Sequence, residues 1–225
     1  MRTLASPPRT EQELLHNAGQ LTGKSLLQVA SELGLQVPVD QKRAKGWVGE
    51  MIEVYLGATA SSLPEPDFQN IGVELKTLPL NHLGKPKETT FVCTVSLNEN
   101  AGRTWEDSVV RHKLNRVLWV PVEAGVDIAL PHRRIGSPFI WSPDPDQEAA
   151  LRIDWQELMD MIAMGEIERI NSQQGRYLQI RPKAANASIL SQTTKENGQH
   201  SMTLPRGFYL RTSFTESLLL MQIEN

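Results

Sequence analysis

The sequence has a single cysteine, Cys93. One thiol cannot form an internal disulfide, and it excludes a cysteine-based zinc site. No apolar run approaches the length that spans a bilayer. The opening segment, Met1-Arg2-Thr3-Leu4-Ala5-Ser6-Pro7-Pro8, lacks the apolar core of a secretory leader. There is no internal repeat and no long low-complexity linker. These absences lead to the expectation of a cytoplasmic protein without membrane attachment.

What is present is an ordinary folded composition. The chain has 225 residues, 40% hydrophobic and 22% charged, enough for one large domain or two modest lobes with a real core. The net charge of −3 argues weakly against nucleic acid. The distribution of that charge argues the other way. The stretch Asp144–Glu168 carries eight acids and one base, a local −7, so the remainder is net +4. Basic clusters stand at Lys42, Arg43 and Lys45, at Arg111, Lys113 and Arg116, and at Arg181, Lys183, Arg206 and Arg211. A molecule polarised in this way can bind DNA with one face. Each cluster taken singly also suits a solvated surface.

Capping patterns place three helices, at Thr10-Glu11-Gln12-Glu13, Ser25-Leu26-Leu27-Gln28 and Asp144-Pro145. Gly34 should end the second and Gly165 the acidic third. Another helix is expected near Gly46 to Leu56, with Trp47, Met51, Val54 and Tyr55 on its apolar face. Ser213-Phe214-Thr215-Glu216 opens a leucine-rich last helix. Strands are expected at Ile71–Leu78, with Thr89–Val95 as its partner, at Arg116–Val122 and at Gly207–Arg211. Ile167–Ile170 and Tyr177–Arg181 read as a hairpin around Gln174-Gly175. The mixture implies an α/β (α+β) fold around a mixed sheet.

The chemistry concentrates in Pro66-Asp67-Phe68-Gln69-Asn70-Ile71-Gly72-Val73-Glu74-Leu75-Lys76. Ile71, Val73 and Leu75 alternate with Gly72, Glu74 and Lys76, so Glu74 and Lys76 share a face. Asp67, in the preceding turn, can return to the same strand end. Two carboxylates can hold a hard cation such as Mg²⁺, and an adjacent lysine can orient or deprotonate a water. That is minimal equipment for metal-assisted phosphodiester hydrolysis. The pattern alone does not separate this reading from a surface Glu-x-Lys pair on a plain strand. Glu53, near Gly46, Gly49, Glu50 and Gly57, is a candidate third acid or an exposed helix residue. Lys113 is a candidate phosphate contact or a charged loop residue, and His112 a candidate ligand or polar surface. Arg181-Pro182-Lys183-Ala184-Ala185-Asn186 carries donors of the kind that read base edges, or is a basic loop. Gly207 permits a close backbone approach beside Tyr209, and a strand there sends Phe208 to the core and Tyr209 outward.

These blocks together resemble the MutH family of methyl-directed mismatch-repair endonucleases. The resemblance runs through Lys45-Gly46-Trp47, Gly72-Val73-Glu74-Leu75-Lys76-Thr77, Glu88-Thr89-Thr90-Phe91-Val92-Cys93 and Val110-Arg111-His112-Lys113-Leu114. It continues in Arg134-Ile135-Gly136-Ser137-Pro138, Trp155 to Ile162, Tyr177 to Ala187 and Leu204-Pro205-Arg206-Gly207-Phe208-Tyr209-Leu210. The N-terminal tail, Thr193–Ser201 and the last few residues match less well.

The resemblance implies a restriction-endonuclease-like core, one endonuclease domain over residues 1–225 with two lobes flanking a DNA cleft. It implies a monomer that nicks the unmethylated strand of hemimethylated GATC, 5′ to the G, with Mg²⁺. It also implies stimulation by MutL, itself tied to MutS. By position, Asp67 and Glu74 would be metal ligands, Lys76 the catalytic lysine, Glu53 an assistant to the metal site, and Lys113 a neighbour of the scissile phosphate. Lys45 and Phe91 would meet DNA from the N-terminal lobe, Phe91 as a wedge. Arg181, Pro182, Lys183 and Tyr209 would meet base edges from the other lobe, with Tyr209 sensing adenine methylation. A related restriction enzyme cutting both strands, and a non-catalytic DNA-binding scaffold, are the competing readings.

Overall fold

Capping residues set the first two helices, and the contacts are the ones their spacing requires. In the computed structural model, which describes residues 6–39, 41–60, 63–97, 102–183, 191–194 and 200–224, α1 (Glu11–Gly19) starts where Thr10 Oγ1 accepts the Glu13 N–H at 3.1 Å. Glu13 reaches back to the Arg9 N–H at 2.8 Å, one residue before the cap. At α2 (Leu26–Glu32) the box closes fully: Ser25 and Gln28 each accept the other's backbone N–H. α3 (Gln41–Leu56) starts earlier than its apolar face suggests. No helix among the described residues is long and apolar enough to cross a membrane.

The chain divides into two compact units. The first is Met1–Glu88 with Lys113–Ser142, the second Thr89–His112 with Pro143–Asn225. The first unit is built on a mixed three-stranded sheet. β1 (Glu74–Leu80) runs parallel to the later strand Val117–Glu123, which pairs antiparallel with Phe139–Trp141. The middle strand is buried from Val117 through Val122, as a strand covered on both faces must be. Leu14, Ala18, Leu26, Val29, Met51, Ile52 and Leu56 from the three helices pack with Phe68, Val73, Leu75, Leu118 and Val120 in one core, each no more than 5% exposed.

In the second unit, β2 (Thr90–Thr94) is an edge of an antiparallel sheet. After it come α4 (Val109–Leu114), which leads the chain back to the first unit, then β3 (Val117–Glu123), β4 (Phe139–Trp141) and α5 (Pro145–Ala163). β5 (Leu178–Pro182) and β8 (Arg206–Leu210) complete the sheet in the order β2-β8-β5, with a separate two-stranded pair β6 (Ser191–Thr194) and β7 (His200–Thr203). α6 (Thr212–Glu224) ends the described chain. α5 opens on a full Asp144/Gln147 capping box and buries Leu151, Trp155, Leu158 and Ile162.

The mixed α/β architecture is the one the sequence implies. Three local expectations are corrected. Ile71 and Gly72 lie in a turn closed by a bridge between Phe68 and Val73, so β1 begins at Glu74. Thr90–Thr94 does not pair with β1; β3 does. β2 has the burial pattern of a half-covered strand, with Phe91 and Thr94 exposed, whereas a parallel partner in a covered sheet must be apolar throughout. The hairpin at Ile167–Ile170 is absent: Ile167–Arg169 form a 3₁₀ turn, and β5 pairs with β8. Ile167 and Ile170 are both buried, and residues three apart coincide on a 3₁₀ turn, whereas strand alternation would send them to opposite faces.

Candidate active site

One turn assembles the acidic pair. The Phe68 and Val73 backbones exchange two hydrogen bonds, at 2.9 and 3.3 Å, and close the segment between them. Gly72 sits in that turn at φ +66°, a conformation with little cost only for glycine. The turn brings Asp67 back alongside β1, where Asp67 Oδ2 accepts the Leu75 N–H at 2.8 Å. Glu74 starts the strand, and its N–H is held by the Arg116 carbonyl at 2.9 Å. Both carboxylates are buried, Asp67 at 7% and Glu74 at 2% exposure.

Two lysines converge on Glu74. Lys76 Nζ donates to Glu74 Oε1 at 2.5 Å. Lys113 Nζ, near the end of α4, donates to Glu74 Oε2 at 2.9 Å, to Oε1 at 3.1 Å and to the Glu65 carbonyl at 3.0 Å. A carboxylate this deep would be strongly disfavoured alone; two ammonium groups compensate it.

Glu53, half-buried on α3, adds a third acid. Burial, then the charges of Asp67, Glu50 and Glu74, push its carboxyl up to about 7, against a partial opposing effect of Lys76. Burial and Glu74 raise Asp67 as well, opposed by the Leu75 N–H and by the two lysines. Because Glu53 binds its proton more tightly when folded, its stabilising contribution is complete below its unfolded value of 4.5 and is lost as pH rises through about 7. Glu53→Gln, neutral throughout, is therefore expected to be more stable than wild type at pH 8 by on the order of 1–2 kcal/mol, discounted for partial exposure. The two proteins should converge near pH 4. Urea denaturation in chelator at both pH values measures this, and equal stability at pH 8 would place Glu53 in plain solvent.

The donors fit a hard divalent cation. Asp67 and Glu74 offer only oxygens, the set that Mg²⁺ accepts alongside retained waters. The mutual crowding of Glu53, Asp67 and Glu74 is what a cation would relieve. Among the described residues, no group of three or more His, Cys, Asp or Glu side chains is arranged to hold a metal ion. His112 is exposed on α4.

In the second unit, β8 pairs Tyr209 with Phe91 on one side and Gln179 on the other. The Phe91 and Tyr209 rings meet edge to face, centroids 5.3 Å apart. Lys183 Nζ lies 4.9 Å from the Phe91 ring centre and donates to Thr94 Oγ1 at 3.3 Å. Arg181 Nη1 donates to Thr89 Oγ1 at 2.8 Å. Arg181, Pro182 and Lys183 are exposed, Tyr209 is half-buried, and Phe208 is in the core.

A family model described as the DNA mismatch repair enzyme MutH matches residues 56–154. DNA mismatch repair protein MutH of Escherichia coli (strain K12) is 55% identical over 218 residues, which span 97% of this chain and 95% of the relative. The proteins of the same name from Escherichia coli O9:H4 (strain HS) and O1:K1 / APEC match to the same extent. This chain belongs to the MutH family. It is accordingly an enzyme of DNA mismatch repair, and its mixed α/β fold is restriction-endonuclease-like.

Within this MutH-family chain, the structure brings Asp67, Glu74, Lys76, Lys113 and Glu53 together in the first unit. It corrects the assignment of Phe91, which belongs to the second unit with Tyr209 and not to the unit that contains Lys45, because β2 pairs with β8 and not with β1. The side chains of Lys42, Arg43 and Lys45, and the whole of Ala184, Ala185 and Asn186, lie outside the described residues. Two contributors are absent from the sequence reading. The Glu65 carbonyl holds Lys113, and a main-chain oxygen has no sequence signature. Asp154, 3% exposed, accepts the N–H groups of Arg176, Tyr177 and Leu178 at 2.6–2.8 Å and so fixes the start of β5. Its signal is a carboxylate at helical spacing from Leu151 and Leu158 on the apolar stripe.

Proposed function

We propose that this chain is a Mg²⁺-dependent DNA endonuclease that nicks the unmethylated strand of hemimethylated GATC, 5′ to the G. It acts as a cytoplasmic monomer, stimulated by MutL and through it by MutS. The proposal includes a single endonuclease domain of two lobes on one duplex. The observation that carries it is the Asp67/Glu74 pair with Lys76 and Lys113 on Glu74, in a chain of this family.

Asp67 and Glu74 would hold the cation, with Glu53 adding to the negative field. When bound, Mg²⁺ supplies polarisation of the phosphate and stabilisation of the leaving 3′ oxygen. Lys76, with its ammonium fixed by Glu74, orients the attacking water and assists loss of its proton. The water oxygen bonds to phosphorus as the phosphorus–O3′ bond breaks, and the leaving oxygen takes up a proton. Lys113 neutralises charge building on the phosphate. Lys45, Phe91, Arg181, Pro182 and Lys183 position the duplex. Tyr209 faces the adenine N6 edge, where a methyl group adds bulk and removes a donor hydrogen.

The test uses supercoiled plasmid with Mg²⁺ and GATC sites unmethylated, hemimethylated or fully methylated. Nicking confined to the unmethylated strand is expected, and Tyr209→Ser is expected to retain cleavage while losing most of the preference. Cutting of both strands at every unmethylated site would favour a restriction enzyme. No cleavage in any state would favour a scaffold. An unchanged preference in active Tyr209→Ser removes that residue from methyl sensing.

A further inference from the structure

Gly207 lies in the middle of β8, opposite Thr94 on one neighbour and Arg181 on the other. Its φ is not positive, so conformational freedom does not account for a glycine there. Space does. A Cβ at this position would stand 2.8 Å from Phe91 Cε2, 3.2 Å from Phe91 Cδ2 and 3.0 Å from Tyr209 Cε2. Real Cβ atoms essentially never stand at 2.8 Å, so the Phe91 ring would have to move, and the Tyr209 ring would have to give by a few tenths of an ångström. The two rings occupy the space that glycine leaves. The bulge between Phe91 and Cys93 shifts the β2 register, so that Thr94, not Cys93, faces Gly207. Lys183 then completes the cluster, bound to Thr94 and set over the Phe91 ring.

We propose that Gly207 is a positioning residue for methyl discrimination: by carrying no side chain it seats Phe91 against Tyr209, and the locked ring pair, not Tyr209 alone, forms the wall that excludes a methylated adenine. This deepens the reading of Tyr209 given above and rests on it. A wall rejects one added methyl group only if it cannot yield. Even on a central strand such as β8, a ring gives way by a rotamer change or a small tilt unless its neighbours pack against it. Tyr209 is braced by Phe91 in an edge-to-face contact, and both rings are set against the open side of Gly207. Phe91, placed in this unit by its strand pairing, thus contributes to specificity as well as to contact with the duplex.

Two variants test this beside wild type. Gly207→Ala forces the rings off their seat; Phe91→Leu keeps the seat and removes the brace. Single-turnover nicking rates are measured on unmethylated and fully methylated GATC duplexes with Mg²⁺, and thermal melting monitors the fold. The expected result is a fall of about tenfold or more in the unmethylated-to-methylated rate ratio for both variants, a difference typical of a gained or lost methyl-sized fit. A purely structural defect would lower both rates together and leave the ratio unchanged. A wild-type ratio in either folded variant overturns the inference while the reading of Tyr209 stands. If Gly207→Ala does not fold, Phe91→Leu decides alone. If wild type itself shows no methyl discrimination, both fall.

Discussion

Asp67→Asn is expected to lower nicking of supercoiled DNA by at least about a thousandfold, more than about 4 kcal/mol of transition-state stabilisation, while melting close to wild type. Asparagine keeps an oxygen for the Leu75 N–H, which Asp67 now satisfies at 2.8 Å, and removes only the charge. Alanine is a poorer test, because it orphans that buried N–H at a cost of about 1–3 kcal/mol. The same reasoning separates the two carboxylates. Glu74→Ala should abolish nicking too, but it strips two largely buried lysines of their shared partner and should destabilise the fold by about 3 kcal/mol or more. Plasmid nicking and urea unfolding on the same samples measure both effects. Nicking at the wild-type rate by Asp67→Asn would remove Asp67 from the metal site.

Lys76→Ala is expected to slow single-turnover cleavage by about 10²–10⁴-fold and to change DNA affinity by less than about threefold. Lys113 remains on both oxygens of Glu74 in this variant, so the strand end keeps a compensating charge and the ground-state complex is little altered. A group needed chiefly in the transition state shows that separation of rate from binding. If affinity and rate fell together, Lys76 would be an ordinary phosphate contact.

The features legible in the sequence are the local ones. Thr10, Ser25 and Asp144 act within one helical turn, so their caps follow from spacing alone. Asp67, Glu74 and Lys76 are joined by one tight turn and two strand positions, and they meet as that geometry requires. Strand partners are not legible, because pairing depends on how many faces of a strand are covered, which no short window records. That gap misplaces Phe91, whose neighbours Tyr209 and Lys183 lie far along the chain. In the sequence Gly207 suggests room for a duplex; in the structure it is room for the protein's own rings.

The first unit is interrupted, and a ribosome must make it in that order. Residues before Glu88 supply Asp67, Glu74 and Lys76, but the strand beside β1 and the lysine that grips Glu74 arrive only with Lys113–Ser142, after the opening stretch of the other unit has been made. One anchor crosses the interruption: Arg116, which also holds Ser142, holds Glu11. A nascent chain therefore has the acids before it has the strand and the lysine that complete their surroundings. A chain cut off before Lys113–Ser142 would carry all three carboxylates but neither the strand that pairs with β1 nor the lysine that grips both oxygens of Glu74.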